Sequence, residues 1–295
     1  MKIIIGPASK KLASKTAKIA KCEKIQVINK RFPDGEVYVR IEGNIKNENI
    51  AIIQTTSPPQ NINLIQLAFI ASAAKLAGAK KIVGIIPYLA YSRQDKMFLQ
   101  GENISIDTIA SMLKTAGIDQ LITVNIHQEK VLERFSFAAK TLSAIPLLAQ
   151  YFKQQGHNEA FSLAPDKGAV YITEQAKNVI GGECGYLEKR RDRYTGAISC
   201  DSKKSFNVKG KTAIIFDDII STGGTIVNAT KILLELGAAR VFAACVHPLL
   251  IGDAEKRILN AGVEQIIGTD SVPNRFSKVS LAPLISQEIK ALKSG

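Results

Sequence analysis

Residues 214–230 read IIFDDIISTGGTIVNAT. An apolar, β-branched run ends in two adjacent acids, Asp217 and Asp218, and a small-polar turn of Ser221, Thr222, Gly223, Gly224 and Thr225 follows before a helical pattern begins. Glycines let a backbone approach a ligand closely, and a helix N-terminus adds partial positive charge, so such a turn can aim several N–H groups at one anion. In open α/β sheets, ligands bind where the carboxyl end of a strand meets a helix N-terminus. The order strand, acid pair, T-G-G-T, helix therefore predicts an α/β sheet with an anion site at this junction. The Thr222 and Thr225 hydroxyls add donors. The acids, read as part of the same loop, can accept hydrogen bonds from the hydroxyls of a sugar that carries the phosphate. A buried strand ending in a solvated Asp pair and a glycine turn is the blander reading, and the order of the features weighs against it.

Outward from this stretch, short β-rich apolar runs recur at residues 50–55, 82–87, 121–126, 212–216, 241–246 and 264–268. Helical patterns at 63–76, 105–115, 225–236 and 254–260 separate them, several stopping at a glycine (Gly78, Gly117, Gly237, Gly262). That alternation predicts parallel sheets covered by helices. Residues 36–41, EVYVRI, depart from it. Val37, Val39 and Ile41 alternate with Tyr38 and Arg40 as in a half-exposed antiparallel strand, so part of the first half is expected to form a hairpin or flap. Pro146 is placed to open a new helix. The chain is therefore divided into residues 1–145 and 146–295.

A chain of 295 residues with 46% hydrophobic composition has the length of two ordinary domains. Its 39 Lys and Arg against 26 Asp and Glu leave a formal charge of +13, which favours anionic partners without choosing among them. Cys22, Cys184, Cys200 and Cys245 form no C-x-x-C pair, which argues against a zinc knuckle or a disulfide framework and fits a reducing cytoplasm. The apolar run at the N-terminus is too short for a signal peptide, and Gln66 and Lys75 interrupt the longest apolar stretch, so neither export nor a membrane span is expected.

Other stretches carry chemistry of their own. In RFPDGE, residues 31–36, Phe32 offers a flat face for a purine, and Asp34 and Glu36 can accept from its exocyclic amine; a plain P-D-G turn is the blander reading. In SRQDK, residues 92–96, the Arg93 guanidinium suits bidentate clamping of a phosphate, although a lone loop Arg is more often simply solvated. His127 ends an apolar run, where an imidazole can bind a metal or touch phosphate but is more often structural. Residues 165–169, PDKGA, form a second strand-to-helix turn. EKRRDR, residues 188–193, reads in isolation as a solvated basic loop or a nucleic-acid patch.

The D-D…T-G-G-T stretch resembles the ribose-phosphate loop of the phosphoribosyltransferase superfamily. RFPDGEVYVRI (31–41), PYLAYSRQDK (87–96), NIHQEK (125–130), APDKGAV (164–170) and EKRRDR (188–193) stand in the order used by one branch of it, the ribose-phosphate pyrophosphokinase family. The resemblance implies two phosphoribosyltransferase-like α/β domains, each a mainly parallel sheet flanked by helices, with an N-terminal flap hairpin and a last helix, residues 281–292, that packs back on the first domain. It implies transfer of the pyrophosphoryl group of ATP to O1 of ribose 5-phosphate, giving phosphoribosyl pyrophosphate and AMP, with Mg²⁺ as cofactor. Phe32, Asp34, Glu36, Arg93, Gln94 and Asp95 then fall on ATP-binding positions. Asp217, Asp218 and Ser221 to Thr225 fall on the ribose 5-phosphate site, with Ser221 where Asp is common in relatives. Asp166, Lys167 and Gly168 fall on the pyrophosphate loop, in which Lys167 and Ala169 replace a small residue and a second glycine. His127 and Asp166 are the implied Mg²⁺ ligands, and Lys189 and Arg191 the implied catalytic cations, a one-residue slip to Arg190 staying open. The resemblance further implies a cytoplasmic homo-oligomer, at least a dimer, whose hairpin reaches into a neighbour's adenine pocket; neither a membrane nor nucleic acid is expected as a partner.

Overall fold

The segment KIII, Lys2–Ile5, shows why these residues make a central strand: it is short, β-branched and buried along nearly its whole length, as a strand covered on both faces must be. In the computed structural model, which describes residues 1–191, 198–201 and 206–294 and only the backbone at 188–191 and 198–201, this strand, β1, pairs in parallel with its neighbours on both sides. The chain divides into two units, one of Met1–Ser143, Ser271–Pro273 and Ser280–Gly295, the other of Ala144–Asp270 and Asn274–Val279.

The first unit is built on a seven-stranded sheet. Its strands are β1, β2 (Lys24–Arg31), β3 (Val37–Glu42), β4 (Asn49–Ile53), β5 (Lys81–Ile86), β6 (Gln120–Val124) and β7 (Ala138–Leu142). Their order is β3-β2-β1-β4-β5-β6-β7, and every pair is parallel except β2 with β3. The helices are α1 (Lys10–Ala20), α2 (Gln60–Leu76) and α3 (Ser105–Ala116). Ile4, Ile52 and Ile82 share one core with Leu67 and Ile70 of α2 and Leu113 of α3. Ile3 and Ile5, of opposite parity, are buried on the other face, against which α1 packs. The α3 helix stops at Gly117, whose φ of 105° needs glycine.

The second unit holds a six-stranded, all-parallel sheet of β8 (Phe161–Ala164), β9 (Cys184–Tyr186), β12 (Thr212–Ile220), β13 (Arg240–Pro248), β14 (Val263–Thr269) and β15 (Ser277–Val279), ordered β15-β14-β13-β12-β8-β9. A separate antiparallel ribbon joins β10 (Glu188–Arg191) to β11 (Ile198–Asp201). Two helices, α6 (Gly224–Glu235) and α7 (Ala254–Asn260), cover one face, where Ile226, Leu233 and Ile258 meet Ile215 and Ala243. The other face receives α4 (Ile145–Gln154) and α5 (Val170–Ile180). There Phe152 sits edge-on to Phe216 and Phe242, centroids 6.2 and 5.7 Å away. Pro146 lies in the first turn of α4, where its missing N–H costs nothing. The last helix, α8 (Ala282–Ser294), belongs to the first unit and packs on α1, with the Ser286 hydroxyl donating to the Thr16 carbonyl at 3.2 Å.

Two differences from the sequence reading follow from pairing. β12 does not end at the acid pair. It continues through Asp217 and Asp218 to Ile220, because Asp217 pairs with Cys245 and Ile219 with His247 of β13. The acids are thus strand residues, not loop residues. The basic run at 188–191, read as a loop, has its backbone in the β10–β11 ribbon.

Candidate functional site

In the second unit, three elements bring functional side chains to the carboxyl ends of β8 and β12. The strand conformation of Asp217 and Asp218 fixes their carboxylates. Asp217 Oδ1 accepts from the Asp218 amide at 2.9 Å, and Asp218 Oδ1 from the Ile219 amide at 2.9 Å. Asp218 is buried, and burial with the neighbouring Asp218 and Asp166 charges pushes the Asp217 carboxyl well above the ordinary aspartate range. Asp166 is thereby placed electrostatically with the acid pair. Its own Oδ1 accepts from the Gly168 amide at 3.0 Å, which shapes the Lys167–Ala169 turn before α5. Lys167 and Gly168 are exposed.

Beyond Ile220 the chain turns through Ser221 and Thr222 into α6. Gly223 caps that helix in the left-handed region, φ 78° and ψ 0°, and as a glycine it offers no side chain to the first-turn amides. A Cβ at Gly223 would stand 2.8 Å from Cδ1 of Ile258 in α7. Amides from the segment after β13 tie the turn down, Leu250 N donating to Ile220 O at 2.9 Å and Ile251 N to Ser221 O at 3.0 Å. The result is a held turn whose leading amides and threonine hydroxyls suit a phosphate dianion. Sequence reasoning missed Cys245, which lies opposite Asp217; burial, then the Asp217 charge, pushes its thiol up. The alternation in VFAACV carried no signal for it.

In the first unit, Arg93, Gln94 and Asp95 lie just past the end of β5 and His127 just past β6; these strands are neighbours, so the two turns emerge side by side. Arg93 and His127 are exposed. Asp95 and Lys96 line a cavity of about 470 Å³ with Lys130, Val131, Glu133 and Arg134. Thr56 holds the loop's start: its hydroxyl accepts from the Ala90 amide and donates to the Tyr88 carbonyl, both at 2.8 Å. Glu102 holds its far side by accepting from the Phe98 and Leu99 amides, bonds that keep its carboxyl below the usual range. Nothing in the local pattern of Thr56 or Glu102 marks these clamps.

Phe32, Asp34 and Glu36 stand at the tip of the β2–β3 hairpin, where the Phe32 amide donates to the Glu36 carbonyl at 2.8 Å and Asp34 Oδ1 accepts from the Glu36 amide at 3.1 Å. The side chains of Lys189 and Arg191 lie outside the described residues, as do residues 192–197. Among the described residues, no three His, Cys, Asp or Glu side chains group as a metal site. No helix of the described chain is long and apolar enough to cross a membrane.

Parallel sheets whose carboxyl-end turns present amides, carboxylates and cations define an α/β enzyme of the kind that handles phosphorylated small molecules. The N-terminal domain of ribose phosphate pyrophosphokinase matches residues 1–117, and the phosphoribosyl synthetase-associated domain matches residues 204–293. A ribose-phosphate pyrophosphokinase of Methanobrevibacter smithii is 40% identical over 98% of this chain and 99% of its own. One from Saccharolobus solfataricus is 41% identical over 92% and 93%. The crystal structure of phosphoribosylpyrophosphate synthetase from Mycobacterium smegmatis superposes with a TM-score of 0.87 at 29% identity, covering 100% of this chain and 99% of that one. The chain belongs to the ribose-phosphate pyrophosphokinase family, transferases of nucleotide biosynthesis that form phosphoribosyl pyrophosphate.

Proposed function

We propose that the protein transfers the β,γ-pyrophosphoryl group of ATP to O1 of ribose 5-phosphate, with Mg²⁺ as cofactor and AMP as the other product. The observation that carries this reading is the acid pair on β12 leading into a left-handed glycine cap that brings no side chain of its own to the first-turn amides. The α6 turn takes the 5-phosphate, and Asp217 and Asp218 accept from the ribose hydroxyls and turn O1 toward the β-phosphorus. The O1–Pβ bond forms, the bond from Pβ to the oxygen bridging it to Pα breaks, and the electron pair leaves on AMP. The O1 proton passes to solvent.

The carboxylates fit the cofactor. Burial first, then the charges of Asp218 and Asp166, pushes the Asp217 carboxyl up, and three carboxylates offer hard oxygen donors of the kind Mg²⁺ meets with one or two protein ligands plus substrate phosphates. Asp166 and His127 would hold the ion, which when bound screens the ATP oxygens. Arg93, with Gln94 and Asp95, receives the nucleotide phosphates, while Phe32, Asp34 and Glu36 receive the adenine. Lys189 and Arg191 close over the charge that develops between the leaving AMP and the transferred group. Such a reaction needs alignment and charge stabilisation more than covalent help from the protein. The enzyme works as a cytoplasmic homo-oligomer, at least a dimer.

Phosphorus NMR of the purified protein tests the reaction. AMP and phosphoribosyl pyrophosphate are expected in equal amounts, and only when ATP, Mg²⁺ and ribose 5-phosphate are all present. ADP or free phosphate as the main product would show a different transfer.

A further inference from the structure

The outward face of the β2–β3 hairpin carries a cavity of about 280 Å³ lined by Ile28, Lys30, Phe32, Tyr38 and Arg40. The register sets Ile28 opposite Arg40 and Lys30 opposite Tyr38, so these residues share one face. Val27, Val39 and Ile41, of the other parity, pack into the core. Hairpin stability is thus supplied from below, and the composition of the outer face is left for another task.

Two aromatic rings stand exposed there, Phe32 at 47% and Tyr38 at 39%. They meet edge to face, centroids 6.3 Å apart and planes at 73°. A near-perpendicular neighbour fixes the plane of the Phe32 ring without covering both its faces, and such pairs are attractive beyond the area they bury. Lys30 and Arg40 complete the lining, with Arg40 tethered to Glu42 at 3.0 Å. Flat rings beside cations suit a planar base that bears phosphate.

We propose that Tyr38 is a positioning residue for the nucleotide base: its ring holds the Phe32 ring in the plane on which the base stacks. This rests on the reading of Phe32 as the base platform and extends it to a residue that acts through Phe32. The phenolic hydroxyl is not required.

Titration calorimetry with α,β-methylene-ATP and Mg²⁺, paired with steady-state kinetics, tests it. Phe32→Ala should weaken analogue binding by about 5- to 150-fold, the range for loss of base–aromatic stacking. Tyr38→Ala should weaken it about 2- to 12-fold, as expected for loss of an edge-to-face pair, raising KM for ATP and leaving kcat within about twofold. Tyr38→Phe should bind as wild type does. Tyr38→Leu, which keeps apolar bulk without an aromatic ring, should behave like the alanine variant if both melt as wild type does. The double variant Phe32→Ala, Tyr38→Ala should bind no worse than Phe32→Ala alone. If Phe32→Ala weakens binding but Tyr38→Leu does not, or if the two losses add, the positioning role is wrong while the platform stands. If Phe32→Ala leaves binding intact, the platform is misplaced and the positioning role falls with it.

Discussion

At the scale of single residues, Asp217 is a carboxyl whose ionisation the fold resists. Burial, the adjacent Asp218 charge and Asp166 raise its carboxyl well above the ordinary range. A carboxyl with a raised folded pKa binds its proton more tightly in the folded state. Its ionisation therefore lowers stability as pH rises from the unfolded pKa through the folded one. Asp217→Asn removes that charge and keeps an oxygen to accept from the Asp218 amide. Without nucleotide and divalent cation, the variant should melt at a higher temperature than wild type near pH 8, and the gain should shrink as pH falls toward 4. An unchanged or lower melting temperature at pH 8 would show that the buried charge costs nothing. In assays the same variant should raise KM for ribose 5-phosphate by about 5- to 12-fold, the difference between a hydrogen bond to a charged acceptor and one to a neutral acceptor. The acids were legible as an unusual pair at the end of an apolar run. Their strand conformation was not, because the pairing partner, Cys245 with its neighbours, lies nearly thirty positions away and leaves no trace in local composition.

At the scale of elements, two adjacent glycines separate what the turn needs for folding from what it needs for a ligand. Gly223 has φ 78°, and its Cβ would press on Ile258, whereas a Cβ at Gly224 meets nothing closer than Arg257 Nη2 at 3.9 Å. Gly223→Ala should destabilise the protein by roughly 1–3 kcal/mol, from left-handed strain and overpacking against α7. Gly224→Ala should leave stability nearly unchanged, yet it should weaken ribose 5-phosphate binding, since its methyl group stands where a phosphate would approach the first-turn amides. Urea melts and calorimetric titration of each variant check this; a Gly224→Ala protein with wild-type affinity would remove α6 from the phosphate site. The long, strongly patterned elements were legible for the same physical reason that they are stable. The α2, α3, α6 and α7 helices carry apolar faces that end at glycines, and β4, β5, β6, β12 and β13 are apolar runs buried on both faces. The alternation of EVYVRI matches β3, whose residues alternate between half-buried and exposed. β9 and β15, three residues each at sheet edges, are too short for a period to show.

At the scale of the whole molecule, the formal charge of +13 suits an enzyme that gathers two polyanionic substrates, but it does not say how many chains form one site. The hairpin bears on that question. Its inner face is committed to the core, whereas Phe32 is 47% exposed at a tip that also holds Asp34 and Glu36. The resemblance read from the sequence leads to the expectation that this segment enters a neighbour's adenine pocket. If each site combines the hairpin of one subunit with the Arg93 loop and catalytic cations of another, two variants dead for different reasons should rescue each other. Phe32→Ala, Glu36→Ala would supply intact catalytic cations, and Lys189→Ala an intact hairpin. Lys189→Ala alone should lose kcat/KM by roughly 10³-fold or more, by analogy with the loss of a catalytic cation in phosphoryl transfer, and the hairpin variant should lose more than the about 5- to 150-fold expected of Phe32→Ala alone. Mixed under conditions of subunit exchange, the two variants form heterodimers that place both intact parts at one of their two sites. Activity should then return to a fraction of wild type that tracks the heterodimer content measured by native mass spectrometry. Should exchange be verified while the mixture stays inactive, the hairpin serves the adenine site of its own chain, and the exposed Phe32 face turns inward on its own subunit's nucleotide.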